Sequence, residues 1–214
     1  MDIECRNSQD NDEYREMVSS LRRQLDPGGN GVGRKPVESI RLSTDFFGLG
    51  FTNKRLGPEG DDILSLQWSK SFYQNAEAIP LLFPPFLSII STISPAVVDM
   101  DLDFNEYSPL SDSQIVQLLL PFTNLQVLHI TESWTLDRLL FVFDKYDERH
   151  ETTLLPALRL LSFNKRVNVR LSHLLHFLRR RSESKFPIST IKIRGSSGKY
   201  LKQALEGLGI CIEI

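Results

Sequence analysis

Asp99, Asp101 and Asp103 alternate with apolar residues, and carboxylates are common ligands of divalent cations. Alternate side chains of a strand point to the same face about 7 Å apart, so these three aspartates could share one cation. The segment does not match a calcium-binding loop, because Phe104 replaces the glycine of its sixth position and Leu110 the glutamate of its twelfth. The pattern therefore favours a solvated acidic strip, and we predict no metal site.

Two other patterns lack residues that their chemistry needs. His173 and His176 lie one helical turn apart, but no cysteine or third histidine is near them in the sequence to complete a tetrahedral zinc site.

The segment GGNGVGRK, which starts at Gly28, resembles a phosphate-binding loop. Arg34 replaces its lysine and Pro36 its serine or threonine, and a strand pattern follows where a helix is required.

No group of residues has the spacing of a catalytic site. The sequence has no G-x-S-x-G motif, and Cys211 lies in an apolar terminal segment where a thiol behaves as a small hydrophobic group. The adjacent carboxylates of Asp61 and Asp62 belong to a loop pattern. We therefore expect a protein that is not an enzyme and that needs no cofactor.

Six segments repeat the apolar spacing L-x-x-L-x-L and must position the polar residues between them. Their apolar positions are Val37-Ile40-Leu42, Ile63-Leu66-Trp68, Val97-Met100-Leu102, Leu125-Leu128-Ile130, Leu158-Leu161-Phe163 and Ile188-Ile191-Ile193, and residues 210–214 form a shorter last strand. Helical patterns follow most segments, beginning at Asp112, at Thr135 or Asp137, and at Leu171. Repeated strand–helix units predict an α/β fold, a leucine-rich-repeat-like solenoid with a parallel sheet on the concave face and helices outside.

The most apolar stretch, residues 78–98, contains 21 residues without a charge. This length could just cross a bilayer, but four prolines interrupt it, and each removes a backbone donor that lipid cannot replace. We therefore expect a buried connection with one short helix, Phe86–Ile93, and no membrane segment.

The chain has 214 residues, of which 41% are apolar and 24% charged, with a net charge of −2; this composition excludes collagen-like and wholly disordered proteins. Residues 1–36 are predicted to form an acidic leader, an amphipathic helix over Asp12–Leu25 and a glycine-rich loop. Residues 37–214 would form the repeat domain of about six units and a terminal strand. The start carries no secretory or transit signal, and Cys5 and Cys211 cannot build a disulfide framework, so we expect a cytoplasmic or nuclear location.

The last third of the chain has a recognisable order of segments. An LP-x-L-x-x-L strand at Leu155–Leu161 precedes the helix LSHLLHFLRRRSE, the basic strand ISTIKIRG and the helix LKQALEGL before the terminal strand. In this order, residues 125–214 resemble the C-terminal leucine-rich-repeat region of fungal F-box/leucine-rich-repeat proteins. The resemblance implies an adaptor that binds a protein target and joins a ubiquitin-ligase scaffold through an F-box, which is itself not evident in this sequence.

Two rows of polar residues are expected on the concave face. In each unit, the residue between the last two apolar positions and the residue after the last one point away from the core. The first row contains Arg41, Gln67, Asp101, His129, Ser162 and Lys192, and the second Ser43, Ser69, Asp103, Thr131, Asn164 and Arg194. From these rows we predict a protein-binding set of Arg41, Gln67, Asp101, Asp103, His129, Thr131, Asn164, Lys192 and Arg194.

Charge is unevenly distributed along the chain. Residues 96–151 hold eleven acidic and three basic residues, whereas residues 165–202 hold eleven basic and one acidic residue. Such a gradient can steer a protein partner of opposite pattern. An alternative is nucleic-acid contact through Lys165, Arg166, Arg170, Arg179, Arg180, Arg181, Lys192 and Arg194, but few aromatic residues are present there for base stacking. A further alternative is a partial product of the adaptor family without independent activity.

Overall fold

The computed structural model describes residues 2–5, 19, 38–45, 48–53, 65–68, 78–104, 110–149, 153–164, 170–194, 202–203, 205 and 208–213. The strands are β1 Asp2–Cys5, β2 Ser39–Asp45, β3 Gly48–Asn53, β4 Ser65–Trp68, β5 Asp99–Phe104, β6 Val127–Ile130, β7 Leu160–Asn164, β8 Thr190–Arg194 and β9 Cys211–Glu213. The helices are α1 Ala78–Ile93, α2 Asp112–Leu119, α3 Ser133–Arg149 and α4 Leu171–Glu183, with a 3₁₀ turn over Ser94–Ala96. Apart from Ser19, the predicted helix over Asp12–Leu25 and the glycine-rich loop after it lie outside the described residues.

Seven strands form one sheet in the order β3-β2-β5-β6-β7-β8-β9. β3 is antiparallel to β2, and the other six strands are all parallel, so the predicted α/β class is confirmed. The parallel strands follow one another across the sheet in the order in which they occur along the chain. Because parallel crossovers are almost always right-handed, a sheet that advances in one direction carries its crossover helices on one face.

The core lies between that face of the sheet and the helices. In β5 the three apolar residues are fully buried, whereas the three aspartates between them are only partly buried. Backbone register aligns Met100 with Ile40 and Leu128, and the alignment continues through Leu161 and Ile191. These residues form one cluster with apolar residues of α2, α3 and α4, so the described helices that follow β5, β6 and β7 cover the same face.

A repeated backbone contact joins the parallel strands from β2 to β8, each to the next, at the strand start. The carbonyl of Glu38 accepts hydrogen bonds from the N–H groups of Val98 and Asp99, at 2.8 and 3.1 Å. The carbonyls of Val98, Gln126 and Arg159 each accept two such bonds from the start of the following strand in the same way. Neighbouring strand–helix units are therefore joined by the same local geometry four times in succession.

One of the six predicted sheet segments was placed wrongly. Ile63-Leu66-Trp68 contributes β4, which pairs in parallel with β1 in a separate two-stranded sheet. β2 instead pairs directly with β5, and the antiparallel β3 occupies its other edge. An apolar spacing alone does not determine which strand becomes the neighbour, because the same side chains can pack in either sheet.

The first helix is longer than predicted. α1 spans Ala78–Ile93, whereas the prolines had led us to expect a helix only from Phe86. Burial of Phe83, Ile89 and Ile90 in the core shows that packing of this apolar segment overrides the local penalty of proline. Within the described part of the chain, no helix combines the length and apolar character needed to cross a membrane.

The helices that follow β5, β6 and β7 begin close to the predicted positions. α2 begins with a capping box, in which Ser111 and Gln114 satisfy one another's backbone N–H groups. α3 begins two residues before Thr135, whose predicted capping role was wrong. The buried Thr135 hydroxyl instead donates to the carbonyl of Phe104 at 2.6 Å and accepts from its N–H at 2.9 Å, which fixes α3 to the end of β5.

Arg181 is an arginine that the sequence assigned to a charged helix end but that lies in the core, with 2% of its surface exposed. Its Nη atoms donate to the carbonyls of Leu154 and Leu155, at 3.4 and 2.8 Å. Leu155 has a φ of 53°, a left-handed conformation that is costly for a leucine. Burial lowers the pKa of Arg181 to about 10, so the guanidinium stays charged at neutral pH and holds this strained segment between α3 and β7.

Replacing Arg181 with lysine should test this role. Lysine keeps the buried charge but cannot donate to both carbonyls as the planar guanidinium does, so Arg181→Lys is expected to lower the free energy of unfolding by about 2 kcal/mol. Urea denaturation followed by circular dichroism measures the change. The matched control is Arg179→Lys on the exposed side of the same helix, which should unfold like the wild type. Equal stability of the two variants would contradict a structural role for Arg181.

Asp147 on α3 should give stability a defined pH dependence. Burial raises the pKa of Asp147, and the hydrogen bond from the Leu154 N–H and the charges of Arg181 and Arg180 only partly oppose this effect. A carboxyl with a raised pKa in the folded state stabilises the fold below its ordinary pKa of 3.8, and this contribution is lost as pH rises through the folded-state value. Relative to Asp147→Asn, the wild type should therefore lose stability as the pH rises from below 3.8 to neutral, measured by urea denaturation at each pH. A constant difference across that range would contradict the assignment.

Candidate functional site: the polar face of the sheet

The face of the sheet opposite the core carries a row of residues in register, which we call the polar face. Arg41 pairs with Asp101, Asp101 with His129, His129 with Ser162 and Ser162 with Lys192. Lys192 pairs in turn with Glu213 of β9. Five of the six residues predicted for the first row thus occupy one line across the sheet. Gln67 does not, because it pairs with Glu4 in the separate small sheet.

The second row is only partly assembled. Asp103 pairs with Ser43, and Asn164 with Arg194. Thr131 is exposed and lies one residue beyond the end of β6. Ser69 lies outside the described residues. Apart from Gln67, the residues predicted to bind a partner are therefore all on or directly beside the polar face.

The order of charges along the first row differs from the prediction. With Gln67 absent, the basic position Arg41 is next to Asp101, and the row ends with Glu213. Along the row, the side chains are therefore first basic and then acidic. After His129 and Ser162, a second basic residue and a second acidic residue follow. The predicted single gradient of charge, from neutral through acidic to basic, was wrong because it assumed that all six segments were neighbours in one sheet.

One group of polar side chains on this face consists of Asp99, Asp101 and His129. One carboxylate oxygen of each aspartate and one imidazole nitrogen of His129 lie within 4.8 Å of one another. The Nε2 of His129 is 3.4 Å from the Oδ2 of Asp99, and these two side chains are 21% and 26% exposed. The other oxygen of Asp99 accepts a hydrogen bond of 3.4 Å from the buried hydroxyl of Ser39. Two adjacent units thus bring these groups together where solvent can reach them.

Ser162 and Lys192 form the other half of the row and differ in exposure. Ser162 is buried, with 2% of its surface exposed, so a partner on this half would meet mainly Lys192 and Glu213. The Nζ of Lys192 is 3.0 Å from Glu213 Oε2, and both side chains are nearly half exposed. Here the polar face presents a partly solvated ion pair.

The basic run of residues 165–202 is not one continuous surface. Arg181 is buried, and Arg180 lies 3.5 Å from Asp144 and 3.7 Å from Glu148 of α3. Arg170 lies 3.8 Å from Asp137. Much of the basic excess of α4 thus offsets the acidic excess of the preceding helix. Lys165 and Arg166 lie outside the described residues, whereas Arg179 is exposed.

The two histidines of α4 also have separate surroundings. His173 is exposed, and His176 Nε2 is 3.8 Å from Asp144 on α3. Among the described residues, neither belongs to a group of three potential metal ligands.

Two residues of the polar face were missed by the sequence reasoning. Asp99 was considered only as part of an acidic strip, and Glu213 only as part of a short last strand. The available signal for Asp99 was its spacing of two from Asp101, which places both on the same face. The repeated apolar spacing placed His129 beside Asp101 in the first predicted row, but the prediction did not combine them with Asp99 into one group.

Comparisons with family models, with curated proteins and with solved structures give no match for this chain. The polar face is therefore the feature from which a function can be inferred.

The Lys192–Glu213 pair is expected to contribute little to folding. Exposed ion pairs are worth about 0–1 kcal/mol, so Glu213→Gln should change the free energy of unfolding by less than about 1 kcal/mol. Urea denaturation at low and high salt measures this, with Glu183→Gln on the exposed end of α4 as the control. A salt-dependent loss well above that of the control would show instead that the pair holds β9 on the sheet.

Proposed function

We propose that this chain is a leucine-rich-repeat-type solenoid that binds a protein target on its polar face. The observation that carries the proposal is a parallel sheet whose strands advance in one direction, with the described crossover helices from β5 onward packed on the face opposite the polar rows. All-parallel sheets usually have both faces covered, and solenoids are the arrangement in which a curved sheet keeps one face for binding. The repeated hydrogen bonds at the strand starts support the same architecture.

The charges on the polar face suggest the chemistry of the target. Asp99, Asp101 and Asp103 lie on β5, and Lys192 lies three strands away on β8. Strands are about 4.8 Å apart, so these opposite charges are separated by roughly 14 Å across the sheet. An extended peptide covers that distance in about four residues. The best-suited target is therefore an extended segment with a basic side chain about four residues from an acidic one.

A double substitution on β5 tests the binding surface. Asp101→Lys with Asp103→Lys reverses the charge that would attract the basic side chain, and the resulting like-charge repulsion should reduce capture of the target by at least about tenfold. The measurement is quantitative mass spectrometry of proteins captured on immobilised wild-type and variant chains. Circular dichroism verifies that the variant is folded.

A charge-matched variant controls for nonspecific attraction. Glu148→Lys with Glu183→Lys makes the same change of net charge on the helical side of the molecule, and it should retain the wild-type partners. Equal capture by both double variants would contradict binding on the polar face. Loss of only nucleic acid from the captured material would favour the alternative of nucleic-acid contact.

The adaptor role implied by the family resemblance needs its own test. A substrate-recognition part of a ubiquitin ligase should copurify with the scaffold complex only when an F-box is present. The isolated chain is therefore expected to capture its target without the scaffold, and fusion to a known F-box should add the scaffold to the complex. Folded protein that captures no target under either condition would support the alternative of a partial family product without independent activity.

A further inference from the structure

Asp99, Asp101 and His129 have the arrangement of a partial coordination sphere. Asp99 and Asp101 share one face of β5, and His129 lies directly opposite Asp101 on β6. Both strands are paired on each side within the sheet, so the backbone holds the three side chains at fixed positions. Their oxygen and nitrogen atoms lie within 4.8 Å of one another.

The contact between His129 and Asp99 is longer than a strong charge-assisted hydrogen bond and also matches the spacing of two ligands of one cation. Charge-assisted N–H···O bonds are usually 2.7–2.9 Å long, whereas the observed separation is 3.4 Å. Two ligands of a tetrahedral ion with bonds of about 2.1 Å lie about 3.4 Å apart. The existing separation therefore needs little change to hold such an ion, and a carboxylate oxygen of Asp101 lies within 4.8 Å of the other two ligand atoms.

The surroundings of the two side chains leave the correct atoms available. Ser39 donates to Oδ1 of Asp99, so Oδ2 is the oxygen that faces His129. In His129, Nδ1 is shielded from solvent and has no hydrogen-bond partner among the described residues. Nε2 is therefore the imidazole nitrogen that a cation can reach, and no described hydrogen bond to Nδ1 fixes the ring in another tautomer.

The donor set selects the class of cation. Calcium and magnesium prefer all-oxygen sites with six or more ligands, whereas imidazole with carboxylates suits zinc and other first-row transition metals. We propose that Asp99, Asp101 and His129 form a binding site for a divalent transition-metal cation, with zinc as the best-suited ion. The partly exposed face leaves the remaining coordination position to water or to a group of a bound partner. This inference does not depend on the proposed function, whose capture test can be performed in EDTA.

The test uses the full chain freed of metal with EDTA. Isothermal titration should give one saturable site for Zn²⁺, and Co²⁺ should produce the visible absorption of a tetrahedral complex with an imidazole ligand. Each of Asp99→Asn, Asp101→Asn and His129→Gln should weaken binding by more than about tenfold, since even groups that only support metal ligands contribute that much. Calcium and magnesium should bind much more weakly than zinc.

Asp103→Asn is the matched control, because it removes the same charge from the next position of the same face. It should bind Zn²⁺ close to the wild type, and Zn²⁺ should raise the melting temperature of wild type and control but not of the ligand variants. Melting temperatures in EDTA verify that each variant folds. Equal weakening by Asp103→Asn and Asp101→Asn, affinity for calcium equal to that for zinc, or absence of a saturable site would each overturn the proposal and leave only an acidic strip.

Discussion

Apolar side chains of five neighbouring strands share one register, and this alignment determines which residues occupy the polar face of the sheet. Because side chains alternate along a strand, a slip of one residue in any pairing would bury the polar row and expose the apolar one. Met100 and Leu128, together with their counterparts on β2, β7 and β8, therefore fix the position of Asp101 and His129 on the opposite face. Full burial of the apolar set makes such a slip energetically prohibitive. The position of the polar face is thus a consequence of core packing.

The direction in which the chain advances provides the second constraint. Since the parallel strands never reverse their order across the sheet, successive helices become neighbours and must tolerate one another's charges. The acidic α3 and basic α4 meet this requirement through ion pairs such as Arg180 with Asp144. A large part of the charge excess along the sequence is therefore paired between neighbouring helices. Because of this pairing, a count of basic residues overestimates the cationic surface of the protein. The buried Arg181 is the clearest example.

The sequence was sufficient to predict the α/β class, five of the strand segments that enter the large sheet, and the alternation of buried and exposed residues. These features depend on periodicity within a segment, which is local information. Pairing between segments is not local, and here the prediction was wrong for β4 and did not include β1 or β3. The extent of α1 was also underestimated, because tertiary burial of Phe83 and its neighbours outweighs the local effect of proline. Thr135 shows the same limitation, since its buried partner Phe104 lies 31 residues away.

The grouping of Asp99, Asp101 and His129 required the relative position of two units. The repeated apolar spacing puts Asp101 and His129 at equivalent positions of successive segments, but it does not show that Asp99 joins them in one group. Their alignment is set at the start of the strands, where the carbonyl of Val98 accepts hydrogen bonds from Gln126 and Val127. This contact places His129 opposite Asp101 whatever the length of the segment between the strands. A group of this kind is therefore formed by residues of two neighbouring strand–helix units. A substitution that changed the register of one strand would separate the group without altering any of its three side chains.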